Sequence, residues 1–241
     1  LNPTFPDDEW GKLQARLLAA IDRETDTWDG EMRNLFRATY YAGHPWSSTP
    51  LGQRARVESL SADDLRAEHA ARLGANEAVL AIFGDFDKDT VLKQVEQLFS
   101  AMPAKPQTTF DAPKFESPDA ALVQQQTNKP LAAVQVGFGP GVTRSSPDYP
   151  ALQVMARVMS SFPSGWLEQE LRGKGEGLVY ASWAFQFTGL SEGYFAFAFN
   201  ADPAKMPKAL SAAMGVVERA RTQTVPEEDL ARAKARLLTS E

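Results

Sequence analysis

Residues 178 to 200 read LVYASWAFQFTGLSEGYFAFAFN. On each side of the turn at residues 188–193, aromatic and small residues alternate along the chain. A period of two is typical of β-strands, and a short glycine-containing turn between two such runs indicates an antiparallel hairpin. The stretch therefore predicts strands over about 178–187 and 193–200, paired with each other.

The regions around this hairpin contain further strand and helix patterns. Short apolar runs predict strands at about 120–126 and 131–138, and helical spacing of apolar residues predicts helices at about 147–160, 166–174, 203–222 and 226–240. Strands paired by hairpins, with helices grouped to one side, are typical of an α+β architecture and not of a doubly wound parallel sheet. We therefore expect the fold class α+β, with antiparallel sheets and helices packed on one side.

The N-terminal part of the chain predicts mainly helices. Apolar residues at helical spacing predict helices at about 7–24, from Met32 to Tyr40, and at 87–101. Ser61 and Asp64 have the spacing of a capping box, which predicts the start of another helix that ends near Gly74. The continuous apolar run at 78–83 predicts a buried strand.

Residues 102–118 separate the two halves of the chain. This stretch contains four prolines and little periodicity, the composition expected where few contacts cross between domains. It predicts a first domain over residues 1–108, a linker at 109–118 and a second domain over 119–241.

Composition narrows the class of protein. Lys and Arg total 25 against 31 Asp and Glu, a net charge of -6, which disfavours nucleic acid and membrane surfaces as partners. No apolar run approaches the roughly 18 to 20 residues that span a bilayer, so membrane insertion is not expected. The chain has no cysteine, which excludes disulfides, thiolate nucleophiles and Cys-ligated metals. The absence of cysteine is compatible with both the bacterial periplasm and the cytoplasm, so it does not decide the compartment.

Three groups of segments resemble the pitrilysin/insulinase family of zinc peptidases, which includes the mitochondrial processing peptidases. The first group comprises Gly43–Trp46, Thr49–Gly52, Ser61–Leu65 and Leu80–Asp87, the second Leu167–Arg172 and Gly177–Tyr180, and the third Glu227–Leu230 with Ala233 and Lys234. They occur in the family's order and span nearly the whole chain. The resemblance implies two related α+β domains of the mitochondrial-processing-peptidase type, the first represented by its C-terminal part and the second by its N-terminal part.

The zinc-binding motif of catalytic family members is absent from this sequence. Those members bind zinc through the two histidines of a His-x-x-Glu-His helix and through a later glutamate. Here the two histidines are His44 and His69, far apart, and the place of the later glutamate reads Leu17-Leu18-Ala19-Ala20-Ile21, without a carboxylate. The resemblance therefore implies a non-catalytic half that binds no cofactor itself, with zinc in a catalytic half or partner subunit of the same family.

Arg172 and Tyr180 match the arginine and tyrosine that the family's non-catalytic halves direct toward the zinc across a closed chamber. A guanidinium offers five N–H donors and a phenol one O–H, groups suited to holding the carbonyl oxygens of an unfolded peptide substrate and to stabilising an oxyanion. The separation of the two residues is one position longer than the family pattern, and glycines at 173, 175 and 177 can absorb that extra residue.

Two functions follow from the resemblance, and a third is independent of it. The chain is expected to be an inactive-type segment of a zinc metallopeptidase, not catalytic by itself, that forms half of a peptide-binding chamber. Alternatively, it is a purely structural or interaction subunit of a larger complex with no role in proteolysis. An unrelated α+β binding domain is the third interpretation, and the ordered series of family-like segments argues against it.

The hairpin aromatics and the histidines have simpler interpretations than a site. Alternating aromatics on strands pack by default into a core, although the same residues in a concave wall could contact a peptide. His44 lies in a Gly-His-Pro turn, where a packing or turn role is expected, and His69 is expected on a solvated helix face.

Overall fold

The computed structural model describes residues 3–105, 115–173, 177–189 and 191–239. The chain forms two compact units by its internal packing. The first unit comprises Leu1–Ile21 and Leu51–Ala112, and the second comprises Asp22–Pro50 and Pro113–Glu241. Residues 109–114 of the predicted linker lie outside the described residues, and the predicted boundaries at 108 and 119 stay a prediction.

The second unit is built on a three-stranded antiparallel sheet. Its strands are β1 (Ala132–Phe138), β2 (Ala181–Phe187) and β3 (Tyr194–Ala201), in the order β1-β3-β2. The central strand β3 pairs with both neighbours, so that Phe197 lies opposite Val136 on one side and Ala184 on the other. The sequence-based hairpin is confirmed, as are the antiparallel sheet and the α+β class.

One predicted strand of this unit is wrong. Residues 120–126 have no regular secondary structure, and Leu122 and Val123 are exposed. A strand requires a second backbone beside it, and among the described residues none pairs with this one.

Helices cover one face of the sheet and form the main core. They are α6 (Tyr149–Ser160), α7 (Trp166–Glu168), α8 (Met206–Thr222) and α9 (Glu227–Thr239). Three of them lie close to their predicted ranges, whereas α7 is shorter than the predicted helix at 166–174. Helix α7 continues as a π-helical turn over Gln169–Gly173, which the sequence does not reveal. The fully buried side chains of Trp166, Leu167, Phe197 and Phe199 lie in the core between these helices and the sheet.

Helix α2 (Trp28–Tyr40) covers the opposite face of the same sheet, although it comes from the N-terminal part of the chain. Tyr40 and Tyr41 pack there against Tyr194 of β3, and the Tyr40 hydroxyl donates a hydrogen bond of 3.1 Å to the carbonyl of Gly193. Burial raises the pKa of all three tyrosines, so their hydroxyls remain protonated. Because alternate residues of β3 point to opposite faces, this strand contributes to both layers.

The first unit is mainly helical. It contains most of α1 (Asp7–Arg23), then α3 (Arg54–Ser59), α4 (Ala62–Arg72) and α5 (Lys88–Phe99). The capping box that opens α4 is confirmed, since the Asp64 backbone N–H donates to the Ser61 hydroxyl at 3.2 Å and the Ser61 N–H donates to the Asp64 carboxylate at 2.8 Å. No described helix is long and apolar enough to cross a membrane.

The buried strand predicted at 78–83 is the second wrong element. These residues have no regular secondary structure, and both Val79 (96%) and Phe83 (92%) are almost completely exposed. As at 120–126, the described part of the chain supplies no neighbouring strand for this backbone.

Gly137 of β1 provides a test of the packing between α2 and the sheet. A Cβ atom added there would lie 2.3 Å from Cζ of Phe36, whose ring is held by Tyr40 and Tyr194 at centroid distances of 5.5 and 4.8 Å. Gly137→Ala is therefore expected to lower the free energy of unfolding by about 1–3 kcal/mol, measured by chemical denaturation.

Gly215 in α8 is the matched control, because a Cβ added there meets no atom within 4 Å. Gly215→Ala is expected to raise the free energy of unfolding by about 0.5–1 kcal/mol through helix propensity. Equal effects of the two substitutions would contradict the described packing of Phe36.

Candidate functional site

Arg172 lies on the π-helical turn that follows α7. Its Nη1 donates to Glu168 Oε1 at 2.8 Å, and its guanidinium lies 5.9 Å from the centroid of the Phe162 ring. The Glu168 side chain is largely buried, whereas that of Arg172 is 42% exposed. Glu168 therefore holds one N–H edge of the guanidinium, and the Arg172 side chain remains partly exposed to solvent.

Tyr180 immediately precedes β2. Its backbone N–H donates to the carbonyl of Asn200 at 3.1 Å, and the N–H of Ala181 donates to the side-chain Oδ1 of the same asparagine at 3.0 Å. Asn200 is buried at the end of β3, so it holds the start of β2 through both its backbone and its side chain. The Tyr180 side chain is 63% exposed, and within the described residues its hydroxyl makes no hydrogen bond.

The backbone on either side of the loop between the two residues is held together. Leu178 N–H donates to the carbonyl of Leu171 at 2.8 Å, and both side chains are buried. Gly177 has a φ of +51°, in the left-handed region that glycine tolerates, and its carbonyl accepts a hydrogen bond of 3.1 Å from Lys205. Residues 174–176 of the predicted glycine-rich connector lie outside the described residues. The hydrogen bond between Leu178 and Leu171 thus joins the two ends of the loop, next to Arg172 and two residues before Tyr180.

Trp166 anchors the turn that carries Arg172. Its ring is 1% exposed, its Nε1 donates to the Asp229 carboxylate at 2.8 Å, and the Arg219 guanidinium lies over the ring at 3.8 Å. Asp229 in turn pairs with Arg232 one turn further along α9. The third family-like segment, in α9, therefore supports the second one, which carries Arg172.

Sequence reasoning missed the role of Trp166. The tryptophan and Asp229 are 63 positions apart, and no local spacing connects them. The available signal was that both residues fall in or beside segments that resemble the family.

The two histidines lie in packing and turn positions. His44 is buried, and its Nδ1 accepts a hydrogen bond of 3.1 Å from the Trp46 backbone N–H, which caps a short 3-10 helix at Pro45–Ser47. His69 is half-buried with its ring edge against Phe5. The turn role of His44 is confirmed, and His69 is less solvated than expected.

No described group of three or more His, Asp or Glu side chains is arranged to hold a metal ion. The expectation that zinc is bound elsewhere stays a prediction.

Most of the hairpin aromatics belong to the core. Phe197 and Phe199 are fully buried and Tyr194 is nearly so, whereas Phe187 is exposed at the end of β2. The prediction that the alternating aromatics pack into the core is thus confirmed for the central strand. Only the less buried aromatic residues of the hairpin could still contact a peptide.

Arg172 and Tyr180 can act as hydrogen-bond donors to a ligand in solvent. The guanidinium is a charged donor pre-oriented by Glu168, and the phenol is a neutral donor on a fixed backbone. Donors of this kind hold carbonyl oxygens and stabilise negative charge that develops on them.

Comparison with protein families matches residues 59–237 to the peptidase M16 inactive domain. A solved structure titled as a peptidase M16 inactive domain from Pseudomonas fluorescens is similar in fold, with a TM-score of 0.89 and 20% identity over 99% of this chain and 57% of that one. A chain of the complex III2 structure from Candida albicans has a TM-score of 0.78 and 17% identity, covering 95% of this chain and 56% of that one. At these identities, the two structures show a common fold only.

Two curated relatives match over a smaller share of their own length. The non-peptidase homolog YmxG of Helicobacter pylori is 23% identical over 118 residues, 49% of this chain and 27% of that protein. The probable mitochondrial-processing peptidase subunit beta of Arabidopsis thaliana is 27% identical over 158 residues, 59% of this chain and 29% of that protein. The chain thus spans well under two thirds of each of these relatives.

The contact between Arg219 and Trp166 is expected to contribute measurably to the free energy of unfolding. Arg219→Gln removes the cation from the ring face and is expected to lower the free energy of unfolding by about 1–2 kcal/mol, measured by urea denaturation. Arg221→Gln is the matched control on the same helix, because Arg221 is exposed and pairs only with exposed Glu218, as far as the described residues go. Its expected effect is at most about 0.5 kcal/mol. A control that costs as much as Arg219→Gln would contradict the anchoring role of this contact.

Proposed function

Since the chain belongs to the peptidase M16 family, as an inactive-type domain of the pitrilysin/insulinase kind, we propose that it forms part of a peptide-binding chamber and assists hydrolysis at a zinc site elsewhere. In this role Arg172 and Tyr180 donate hydrogen bonds to the backbone carbonyl oxygens of an unfolded peptide. The observation that carries the proposal is the contrast between their fixed backbones and their exposed donor groups.

The backbone around Arg172 supports this role. The turn is held by the buried side chains of Trp166, Leu167 and Leu171, and by the bond from Leu178 to Leu171. A donor on a rigid element costs little reorganisation when it meets its acceptor, which is what oxyanion stabilisation requires. π-Helical turns occur frequently at functional sites, which agrees with this position.

Glu168 would act as a positioning residue. Its carboxylate takes one N–H of Arg172, and the other N–H groups of this partly exposed guanidinium can bind a ligand. An arginine that is neutralised on one edge still offers a fork of donors on the other, so the pair favours carbonyl oxygens in a defined orientation over loosely held anions.

The proposed partner is a catalytic zinc-binding half or subunit of the same family. No metal-binding cluster occurs among the described residues, and the Arabidopsis relative is itself named as one subunit of a processing peptidase. We place the zinc, the attacking water and the general base in that partner. This chain supplies binding and charge stabilisation.

A purely structural or interaction role is the second candidate. The Helicobacter relative is named a non-peptidase homolog, and the Candida chain of similar fold belongs to a complex III2 structure. Arg172 is also partly satisfied within this chain, by Glu168 and by the ring of Phe162. In that case the site would be a structural ion pair without a ligand.

Substitutions at the two donors distinguish these candidates. In the complex with the catalytic half, Arg172→Ala and Tyr180→Phe are each expected to lower kcat/KM for a quenched fluorogenic peptide by tenfold or more, because each removes one donor to the reacting peptide. A fall in kcat indicates support of the transition state, and a rise in KM alone indicates ground-state binding.

Arg221→Ala and Tyr149→Phe are the matched controls for this experiment. Arg221 is an exposed arginine of α8, and the Tyr149 hydroxyl accepts a hydrogen bond from Gln153 within α6. Both variants are expected to keep full turnover. Unchanged turnover in Arg172→Ala and Tyr180→Phe as well would instead favour the structural role.

The isolated chain is expected neither to bind zinc tightly nor to cleave peptides. Equilibrium dialysis against micromolar zinc, followed by metal analysis, is expected to show less than one ion per chain, with no difference between the unsubstituted chain and a His44→Asn, His69→Asn variant. One tightly bound zinc that disappears in this variant would contradict the proposed division of roles.

A further inference from the structure

Phe162 is an exposed aromatic residue in the loop Ser161–Gly165, which joins α6 to α7. Its side chain is 64% exposed, and its ring stacks on no other aromatic ring in the described part of the chain. Phe187 is also exposed, but its ring contacts those of Trp46 at 5.4 Å and Tyr194 at 5.3 Å. Phe162 is therefore an apolar ring to which its own fold gives little cover.

The loop that carries Phe162 is fixed to the helices around it. The Gly165 N–H donates to the carbonyl of Ser161, and a Cβ atom added at Gly165 would lie 2.6 Å from the Ser161 nitrogen, so this close turn requires glycine. On the other side, Arg236 of α9 donates from Nη1 to the carbonyl of Phe162 at 2.7 Å. An aromatic side chain on a fixed backbone loses little conformational entropy when it meets a ligand.

Arginines from three elements surround this loop. The Arg172 guanidinium lies 5.9 Å from the centroid of the Phe162 ring, and Arg236 approaches from α9. A small depression beside the loop, between α6 and α9, is lined by residues that include Arg157, Arg232, Ser161 and Ser164. Guanidinium and hydroxyl groups together are donors suited to the oxygens of a carboxylate.

The carboxylates near the loop do not offset all of this positive charge. Arg172 is already paired, as described above, and Arg232 pairs with Glu228 and with Asp229, which also lines the depression. Arg236, in contrast, forms no ion pair with any described residue, because its bond goes to a neutral carbonyl. A positive charge next to an uncovered phenyl ring thus lies on the surface of a chain whose net charge is -6.

We propose that the loop Ser161–Gly165 and the arginines around it form a docking surface for an acidic peptide segment that contains an aromatic residue. The aromatic side chain of this segment packs on the exposed ring of Phe162. Its flanking carboxylates pair with Arg236 and with the donors that line the depression. This inference does not depend on the proposed role of Arg172 and Tyr180, because docking requires no hydrolysis.

An acidic peptide fits this surface better than an anionic lipid surface does. The carboxylate of Glu228 is 85% exposed and that of Asp229 lies in the depression, so negative charges are interspersed among the arginines. A continuous anionic plane would meet these carboxylates as well as the arginines. Carboxylates placed singly along a peptide can pair with the arginines and avoid the acidic side chains.

Fluorescence anisotropy tests this surface on the full 241-residue chain. The probe is the capped, fluorescein-labelled peptide SDEFDES, and the comparison peptides are SNQFNQS, without charge, and SDEADES, without the ring. We expect SDEFDES to bind at least fivefold more tightly than either, because each comparison peptide lacks one of the two interactions. Raising the salt concentration from about 50 to about 300 mM is expected to weaken its binding at least threefold.

Substitutions in the chain locate the binding. Phe162→Ala is expected to weaken binding of SDEFDES at least fivefold without changing the thermal unfolding midpoint, because this ring is exposed. Arg236→Gln is expected to weaken it at least threefold, whereas Arg236→Lys keeps the charge and is expected to bind within twofold of the unsubstituted chain. The matched controls are Phe83→Ala, at an exposed phenylalanine of the first unit, and Arg221→Gln, at an exposed arginine of α8. Both controls are expected to keep full affinity.

Four results would overturn the proposal. The first is binding of SNQFNQS as tight as that of SDEFDES, and the second is unchanged binding by Phe162→Ala. The third is co-sedimentation with vesicles of phosphatidylcholine and phosphatidylserine that Phe162→Ala abolishes, which would assign the surface to lipid. The fourth is self-association of the chain that the same substitution abolishes, which would identify a second copy as the occupant. None of these results would alter the turnover expected of Arg172→Ala and Tyr180→Phe.

Discussion

The central strand β3 needs backbone hydrogen bonds on both edges and cover for the apolar side chains on both faces. The second unit is organised around these two requirements. β1 and β2 take its backbone hydrogen bonds, so no edge of β3 is left open. Phe197 and Phe199 are buried under α6 to α9, while Tyr194 and Ala196 are buried under α2. Helix α2 is therefore as much a part of this unit as the helices that follow the sheet, despite its distance along the chain.

The same strand also positions part of the candidate site. Asn200, near the end of β3, fixes the backbone that enters β2 and so positions Tyr180. On the other side of the loop, Trp166 is held between Arg219 and Asp229 and positions the turn that carries Arg172. Buried contacts thus fix the two backbones, and the side chains of Arg172 and Tyr180 remain at least partly exposed. This separation of support from donor is what a binding surface requires.

The two units of the chain differ in how completely they bury their apolar residues. The second has a continuous core, whereas the first exposes an apolar run and much of one helix face. Both stretches whose strand predictions were wrong, 78–83 and 120–126, contain short apolar runs and lack a neighbouring backbone among the described residues.

Interactions between residues close in sequence were sufficient to predict most secondary-structure elements of this protein. Helix periodicity, the capping box of Ser61 and Asp64, and the alternation of the hairpin predicted most elements, because those interactions join residues close in sequence. Segment order also identified the family and the candidate residues Arg172 and Tyr180. Only the tertiary structure decided which apolar runs become strands, that α2 covers the second face, and that Trp166 pairs with Asp229. These features depend on contacts between residues far apart in sequence, and a strand, unlike a helix, cannot satisfy its backbone alone.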